Sequence, residues 1–382
     1  MKILVLGLYH SLNLGDAVLT DCTAALLRRQ YPQAQVIIRD LVNLDTIPVR
    51  VPLSLKQLYR SRRRLLLRSL ATSLGWDKQR KRGKWCIARY GDALDSLAAE
   101  NWNLAVFAGG EMFMDMFSPY ICHLTEQFSQ RRIPVFFHAC GIGPSQSRAL
   151  QRQLGRVLRL PNVHYLSCRD DVARLNRWCG GDFAVFSADS GLWADQIYGI
   201  QKDPQANTVG LGIMFANSLP PQRVIRFWQR LIRKLDRRGI PWKLFTNGAE
   251  ADMCFARELL RTMDLGEDRL CPPPESPAEL VKLIAGFDSL ISFRLHSHII
   301  AGSLDIPSVA LLWDDKLKFY FEMMGQPQSC LTVDASPDRV LRTLAQAKAA
   351  PLDRQRLLNA REQSARQLFD ALDPYILGGE PL

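Results

Sequence analysis

Two of the six histidines stand two apart in Phe293-Arg294-Leu295-His296-Ser297-His298, beside an arginine and at the expected start of a helix. An imidazole and a guanidinium at a strand end could bind an anion and move a proton. The structural alternative is a satisfied core histidine. Metal binding does not fit: positions i and i+2 share no helix face, and no third ligand has metal spacing. No metal is therefore expected. Arg169 falls in Ser167-Cys168-Arg169-Asp170-Asp171, again between a strand and a helix. It is either a two-pronged clamp for carboxylate or phosphate or a partner for the adjacent acids. Lys316 follows Trp313-Asp314-Asp315, where a solvated helix start is the structural reading.

Three glycine-bearing turns accompany these groups: Gly7 through Asp16, Ala108-Gly109-Gly110-Glu111, and Gly141-Ile142-Gly143-Pro144. Glycine lets backbone approach a ligand closely, and free N–H groups at a helix start favour an anion. The first turn lacks a G-x-G-x-x-G spacing, so it is not read as a dinucleotide site, and Asn13 or Asp16 could simply cap the helix that follows.

The elements that position these loops alternate. Apolar runs predict strands at Ile3–Leu6, Val36–Ile38, Leu104–Phe107, Val135–Phe137, Tyr165–Ser167 and Ala184–Phe186, then at Val209–Met214, Trp242–Phe245, Ser289–Ser292 and Ser308–Leu312. Helical patterns fall between them, among them Asp16–Arg29, Arg148–Arg159, Pro221–Arg238, Ala249–Met263, Pro277–Ala285 and Leu295–Leu304. Two such blocks imply two parallel α/β sheets with helices on both faces, and ligands at the carboxyl ends of the strands. The division predicted is residues 1–200 with an insertion at about 50–90, residues 205–348, and a helical tail at 349–382 that packs back on the first domain.

The length of 382 residues suits two domains, and 47% apolar with 23% charged residues excludes a disordered or fibrous chain. The nine cysteines are scattered without a C-x-x-C pair, which argues for reduced thiols. No apolar run is long enough for a membrane-spanning helix, and the opening segment reads as a strand. A cytoplasmic protein is expected. The formal charge of +11 is concentrated: Lys56 to Arg89 holds twelve basic residues and one acid, Asp77, while the other 348 residues hold 37 of each sign. One insertion is not the many-element basic face of a nucleic-acid binder. With Leu55, Leu58, Tyr59, Leu65, Leu66, Leu70 and Leu74 at near-helical spacing and Trp76 beyond them, residues 56–89 suit an anionic membrane surface. A solvated basic loop is the plainer reading.

Taken in order, Asn13-Leu14-Gly15-Asp16, Gly109-Gly110 with Asp115, Gly141-Ile142-Gly143-Pro144, Ser167-Cys168-Arg169-Asp170, Asp189, Arg294-Leu295-His296 and Asp315-Lys316 resemble the polysaccharide pyruvyl transferase family. The pattern departs from the family at Ala17, at Ala108 and Glu111, at Cys140 and at Ser190. The resemblance implies two Rossmann-like domains in a GT-B-like arrangement with a cleft between them. It implies phosphoenolpyruvate as donor substrate, no cofactor, and transfer of the carboxyethylidene group to two hydroxyls of a sugar, with release of phosphate. The acceptor would be a saccharide or a lipid-linked saccharide, at the inner face of the cytoplasmic membrane. By motif position His296 would be the acid/base, and Arg169, Lys316 and Arg294 would bind the donor. Asn13, Asp16, Gly109, Gly110, Glu111 and Gly143 are the accompanying loop or acceptor positions. Two alternatives stand beside this: a GT-B glycosyltransferase using a nucleotide-sugar, and a non-catalytic scaffold of a polysaccharide assembly complex.

Overall fold

The computed structural model describes residues 1–42, 53–73, 78–216, 218–350 and 352–378. Its frame is two parallel sheets. The first contains β1 (Lys2–Gly7), β2 (Gln35–Asp40), β3 (Leu104–Ala108), β4 (Val135–Cys140), β5 (Val163–Cys168) and β6 (Val185–Phe186), in the order β2-β1-β3-β4-β5-β6. The second contains β7 (Val209–Gly212), β8 (Trp242–Phe245), β9 (Ser289–Ser292), β10 (Ser308–Leu311) and β11 (Cys330–Leu331), in the order β11-β10-β9-β7-β8. Strands β3, β4, β9 and β10 are buried along their whole length, which is why they appear in the sequence as continuous apolar runs and not as alternation. The strand at Val209 ends at Gly212, two residues before the expected Met214. Strand β11 is two residues long and has no readable pattern.

Between the strands lie α1 (Leu14–Gln30), α2 (Leu55–Ser73), α3 (Lys78–Ala99), α4 (Ser118–Gln130), α5 (Arg148–Val157), α6 (Val172–Cys179) and α7 (Ala194–Tyr198). The second half adds α8 (Pro221–Arg237), α9 (Glu250–Thr262), α10 (Pro277–Ala285), α11 (Leu295–Ser303), α12 (Lys316–Met323), α13 (Pro337–Ala349) and α14 (Arg354–Ile376). In each sheet the first strand sits between the second and the third, so the winding reverses beside β1 and beside β7. Crevices open at such reversals, outside the carboxyl ends of the strands. The loops that begin at residues 8, 109, 141 and 169 leave the first sheet at that end, and those at 293 and 312 leave the second.

Helix α1 joins the two lobes. Leu14, Val18 and Cys22 pack with Leu280, Ile284, Ile300 and Ala301 of the second lobe, while Ala24 and Leu27 pack on the first sheet. A helix buried on two sides has little amphipathic pattern. The chain ends in a strap: Leu357 of α14 packs with Leu317 and Phe321 of the second lobe, and Leu368 and Leu372 pack with Ile3, Val5 and Phe136 of the first sheet. Tyr31 donates to Asp373 at 2.7 Å, tying the end of that strap to α1's C-cap.

The insertion is two helices, α2 and α3. Part of the apolar stripe expected to face a membrane is used inside the molecule. Leu58 is buried in the core of the second lobe, with Leu55 and Tyr59 against it and the Tyr59 ring 6.3 Å from Phe215. Leu74, Trp76 and Asp77 lie outside the described residues. Among the described residues no helix is long and apolar enough to cross a membrane.

Candidate active site

The loop after β1 does not end in a simple helix cap. Neither Asn13 nor Asp16 caps α1 through its side chain; instead Asn13 Nδ2 donates to Asp16 Oδ2 at 2.9 Å. The other oxygen of Asp16 faces His296, with Oδ1 3.8 Å from Nε2. That approach crosses the lobes and depends on Gly15, where a Cβ would stand 2.5 Å from both Cβ and Nδ1 of His296. The N–H of Leu14 donates to the Asn247 carbonyl at 3.0 Å, and Ser297 Oγ donates to Asn247 Oδ1 at 2.9 Å. Asn247 thereby fixes the starts of α1 and α11 against each other.

Arg169 leaves the end of β5 and is buried. It does not pair with the neighbouring Asp171. Its guanidinium forms a salt bridge with Asp189, twenty residues on, and stands 3.3 Å from His296 Nε2. Asp170 instead braces the adjacent loop, accepting from the N–H of Ile142 at 3.1 Å and of Asp171 at 2.8 Å. Lys316 is not a solvated helix start. It is buried, its Nζ pairs with Glu111 of the opposite lobe, and it lies 4.3 Å above the Trp313 ring. Glu111 reaches it by passing over Gly143, where a Cβ would fall 2.6 Å from Oε1.

The remaining expected positions serve differently. Gly109 and Gly110 have φ of +58° and +78°, so the turn after β3 folds back and brings the Gly110 carbonyl to the N–H of Gly141 at 2.7 Å. Arg294 is committed to Asp252, with Nε 3.0 Å from Oδ2. Its charge acts on the cluster, but Asp252 holds its fork. His298, the second histidine of the motif, is a core residue: Nδ1 lies 2.9 Å from Ser308 Oγ and Nε2 3.0 Å from the Ser292 carbonyl. Sequence reasoning did not find Asp252, Asn247 or the bracing role of Asp170. Asp189 was visible as a motif member just beyond a strand; that it neutralises Arg169 was not. Pairs separated by 20 or 42 residues leave no spacing signal.

Electrostatics set the resting protonation. Burial pushes the His296 imidazole well below its usual range, and the charges of Arg169, Lys316 and Arg294 push the same way. Burial raises the Asp16 carboxyl to about 6; Glu111 adds to the rise, and Arg169, Lys316 and Arg294 oppose it. Near neutral pH the imidazole is uncharged and the carboxyl sits close to its titration point. Three polar atoms of the cluster are buried with no hydrogen bond: Arg169 Nε, Asn13 Oδ1 and Asn247 Nδ2. Beside them a cleft of about 510 Å³ runs between the lobes, lined by Gly143, Asp170 and Arg174 on one side and by Trp313, Lys316 and Phe319 on the other.

A sequence profile of the polysaccharide pyruvyl transferase family matches residues 13–315. The chain belongs to that family. The match starts at Asn13 and runs to Asp315, so it covers the site's strand-end loops from the end of the first one to the residue before Lys316. Among the curated proteins no sequence matches the chain. In three dimensions the chain resembles nucleotide-sugar enzymes of the GT-B fold. A putative UDP-N-acetylglucosamine 2-epimerase from Listeria monocytogenes aligns at TM-score 0.60 and 11% identity, over 100% of this chain and 97% of that one. S. aureus MnaA, solved with UDP, aligns at 0.58 and 10%, over 100% and 98%. The UDP-GlcNAc 2-epimerase of Neisseria meningitidis, bound to UDP-GlcNAc, aligns at 0.57 and 10%, over 97% and 100%. At such identity the likeness is one of fold: two Rossmann-like lobes around a cleft.

Proposed function

We propose that this pyruvyl transferase moves the carboxyethylidene unit of phosphoenolpyruvate onto two hydroxyls of a sugar, in a cell-surface polysaccharide or its lipid-linked precursor, and releases phosphate. The reading rests on one observation. Arg169 from the first lobe meets His296 from the second at 3.3 Å, and Lys316, which lines the adjoining cleft, reaches from the second lobe to Glu111 of the first.

Phosphoenolpyruvate carries a carboxylate and a phosphate, roughly −2.5 to −3 in all if its phosphate titrates like other monoesters. Arg169 and Lys316 hold the two anionic ends between them. The unpartnered Nε of Arg169 supplies a further donor. Lys316 is held by a carboxylate whose side chain is 21% exposed, so Glu111 can swing out as the ligand replaces it. The incoming negative charge reverses the field on His296 and raises its proton affinity. The imidazole then takes a proton and becomes the acid.

His296 gives its proton to C3, and positive charge builds at C2, stabilised by the ester oxygen. The first sugar hydroxyl bonds to C2 and its proton passes to Asp16, the base 3.8 Å from His296. The bond between C2 and the phosphate oxygen breaks, and the second hydroxyl closes the ketal. Two hydroxyl protons are lost; one replaces the proton placed on C3, and the other leaves on phosphate.

A phosphate-release assay with phosphoenolpyruvate and a panel of lipid-linked sugars tests the proposal. Release should require an acceptor and fall at least ~100-fold in His296→Ala. Near-normal turnover by a folded variant would overturn the role of His296. Melting curves separate the donors, because phosphoenolpyruvate should raise Tm and UDP should not.

A further inference from the structure

A cavity of about 670 Å³ shares no lining residue with the cleft. It lies between α3, α4 and α5 on the first lobe. Arg80 and Lys84 of α3 and Arg152 of α5 stand around it, and Ile87, Pro119 and Leu150 give it apolar walls. Its one acid, Glu126, is engaged by Arg156. Among the described residues Lys84 has no carboxylate partner, and the side chain of Arg152 donates only to the Arg148 carbonyl, at 3.3 Å. Gly83 lets α3 approach α4 at the cavity wall, a Cβ there falling 2.8 Å from Pro119.

Cationic groups around a partly apolar hollow match a phosphate ester that carries an apolar neighbour. A phospholipid headgroup offers a phosphate to the cations and a glycerol to the apolar wall. We propose that this cavity seats the phosphate of an anionic phospholipid and docks the protein on an anionic bilayer through α3 and α5. The burial of Leu55, Leu58 and Tyr59 against the second lobe assigns α2 a different part. It bridges the insertion to the second lobe, and its exposed Arg60, Arg63 and Arg64 add only the diffuse attraction of surface charge. The proposal does not rest on the donor or the reaction, since its readout is binding.

The test is co-sedimentation with vesicles of phosphatidylcholine containing about 30% phosphatidylglycerol, at about 0.15 M salt. Wild type should bind these vesicles and not pure phosphatidylcholine. Arg80→Glu/Lys84→Glu/Arg152→Glu should weaken binding roughly tenfold or more, and the charge-matched Arg60→Glu/Arg63→Glu/Arg64→Glu should weaken it clearly less. If the triple reversal at the cavity disturbs folding, the milder Lys84→Gln/Arg152→Gln pair provides the same comparison. Free glycerol phosphate should compete with the vesicles, and with wild type alone. The proposal is overturned by equal losses in the two charge-matched variants, by unchanged binding of a folded cavity variant, or by equal binding to pure phosphatidylcholine.

Discussion

The cleft and the basic insertion treat positive charge in opposite ways. In the cleft Arg169, Lys316 and Arg294 each touch a carboxylate, and the first two are almost wholly buried. In the insertion twelve basic residues face a single acid in sequence, and most of the described ones are exposed. The difference follows from solvent. A buried cation left unmatched costs several kcal/mol, so the protein supplies counter-ions until a ligand replaces them. At the surface, water and salt screen the charge, which can remain in excess and act at a distance. A set of matched charges with unsatisfied donors among them reads as a binding site at rest; an unmatched excess reads as a surface awaiting another surface.

The sharpest way to break this contrast is to remove a matched charge. Arg169→Ala leaves Asp189 buried and unpaired, and should lower folding stability by roughly 3–5 kcal/mol as well as abolishing turnover. Urea unfolding monitored by circular dichroism measures the first effect. Gly15→Ala should cost at least ~100-fold in phosphate release, because its new methyl displaces the His296 ring from Asp16.

Asp16→Asn separates function from stability. The folded carboxyl titrates near 6 against an ordinary 3.8, so between those values the native chain holds more protons than the unfolded one. Stability therefore falls as pH rises through that window and stays lower above it. The variant should melt higher than wild type at pH 7.5, converge with it near pH 4, and lose turnover. A variant that melts lower at pH 7.5 would contradict the burial argument. Glu111→Gln should tighten phosphoenolpyruvate binding a few-fold by weakening the competitor for Lys316, measured by calorimetry. The smallest effect belongs to the other region: Arg60→Glu/Arg63→Glu/Arg64→Glu should leave Tm within about 2 °C and turnover on soluble substrate unchanged.

Sequence revealed much of the frame because buried parallel strands are continuous apolar runs. Trp242–Phe245 and Ser289–Ser292 have the spans expected of them, and the two-lobed GT-B-like arrangement holds. The residues brought together beside the cleft, Arg169, His296 and Lys316, stood out as strand-end residues, and only their match to the family's motif positions set them above the plainer readings. Their partners did not stand out. Asp252 sits in the first turn of α9, with nothing local to connect it to Arg294, and Asn247 precedes that helix in an ordinary turn. The glycines were visible as turns, yet the use of Gly15 and Gly143 as room for side chains from elsewhere appears only when the lobes meet. Helical spacing in Leu55, Leu58 and Tyr59 was readable; the partner that covers them, the core of the second lobe, depends on how the insertion folds back.

Titrating phosphoenolpyruvate into the protein near pH 7.5, where the ligand phosphate and Asp16 are both mostly ionised beforehand, by calorimetry in two buffers of different ionisation heat, tests the central claim most directly. Binding should carry an uptake approaching about one proton, because the ligand's charge raises the proton affinity of His296, and the uptake should shrink sharply in His296→Ala. Absence of binding, or binding with no proton taken up by the wild-type protein, would contradict the assignment of this cleft.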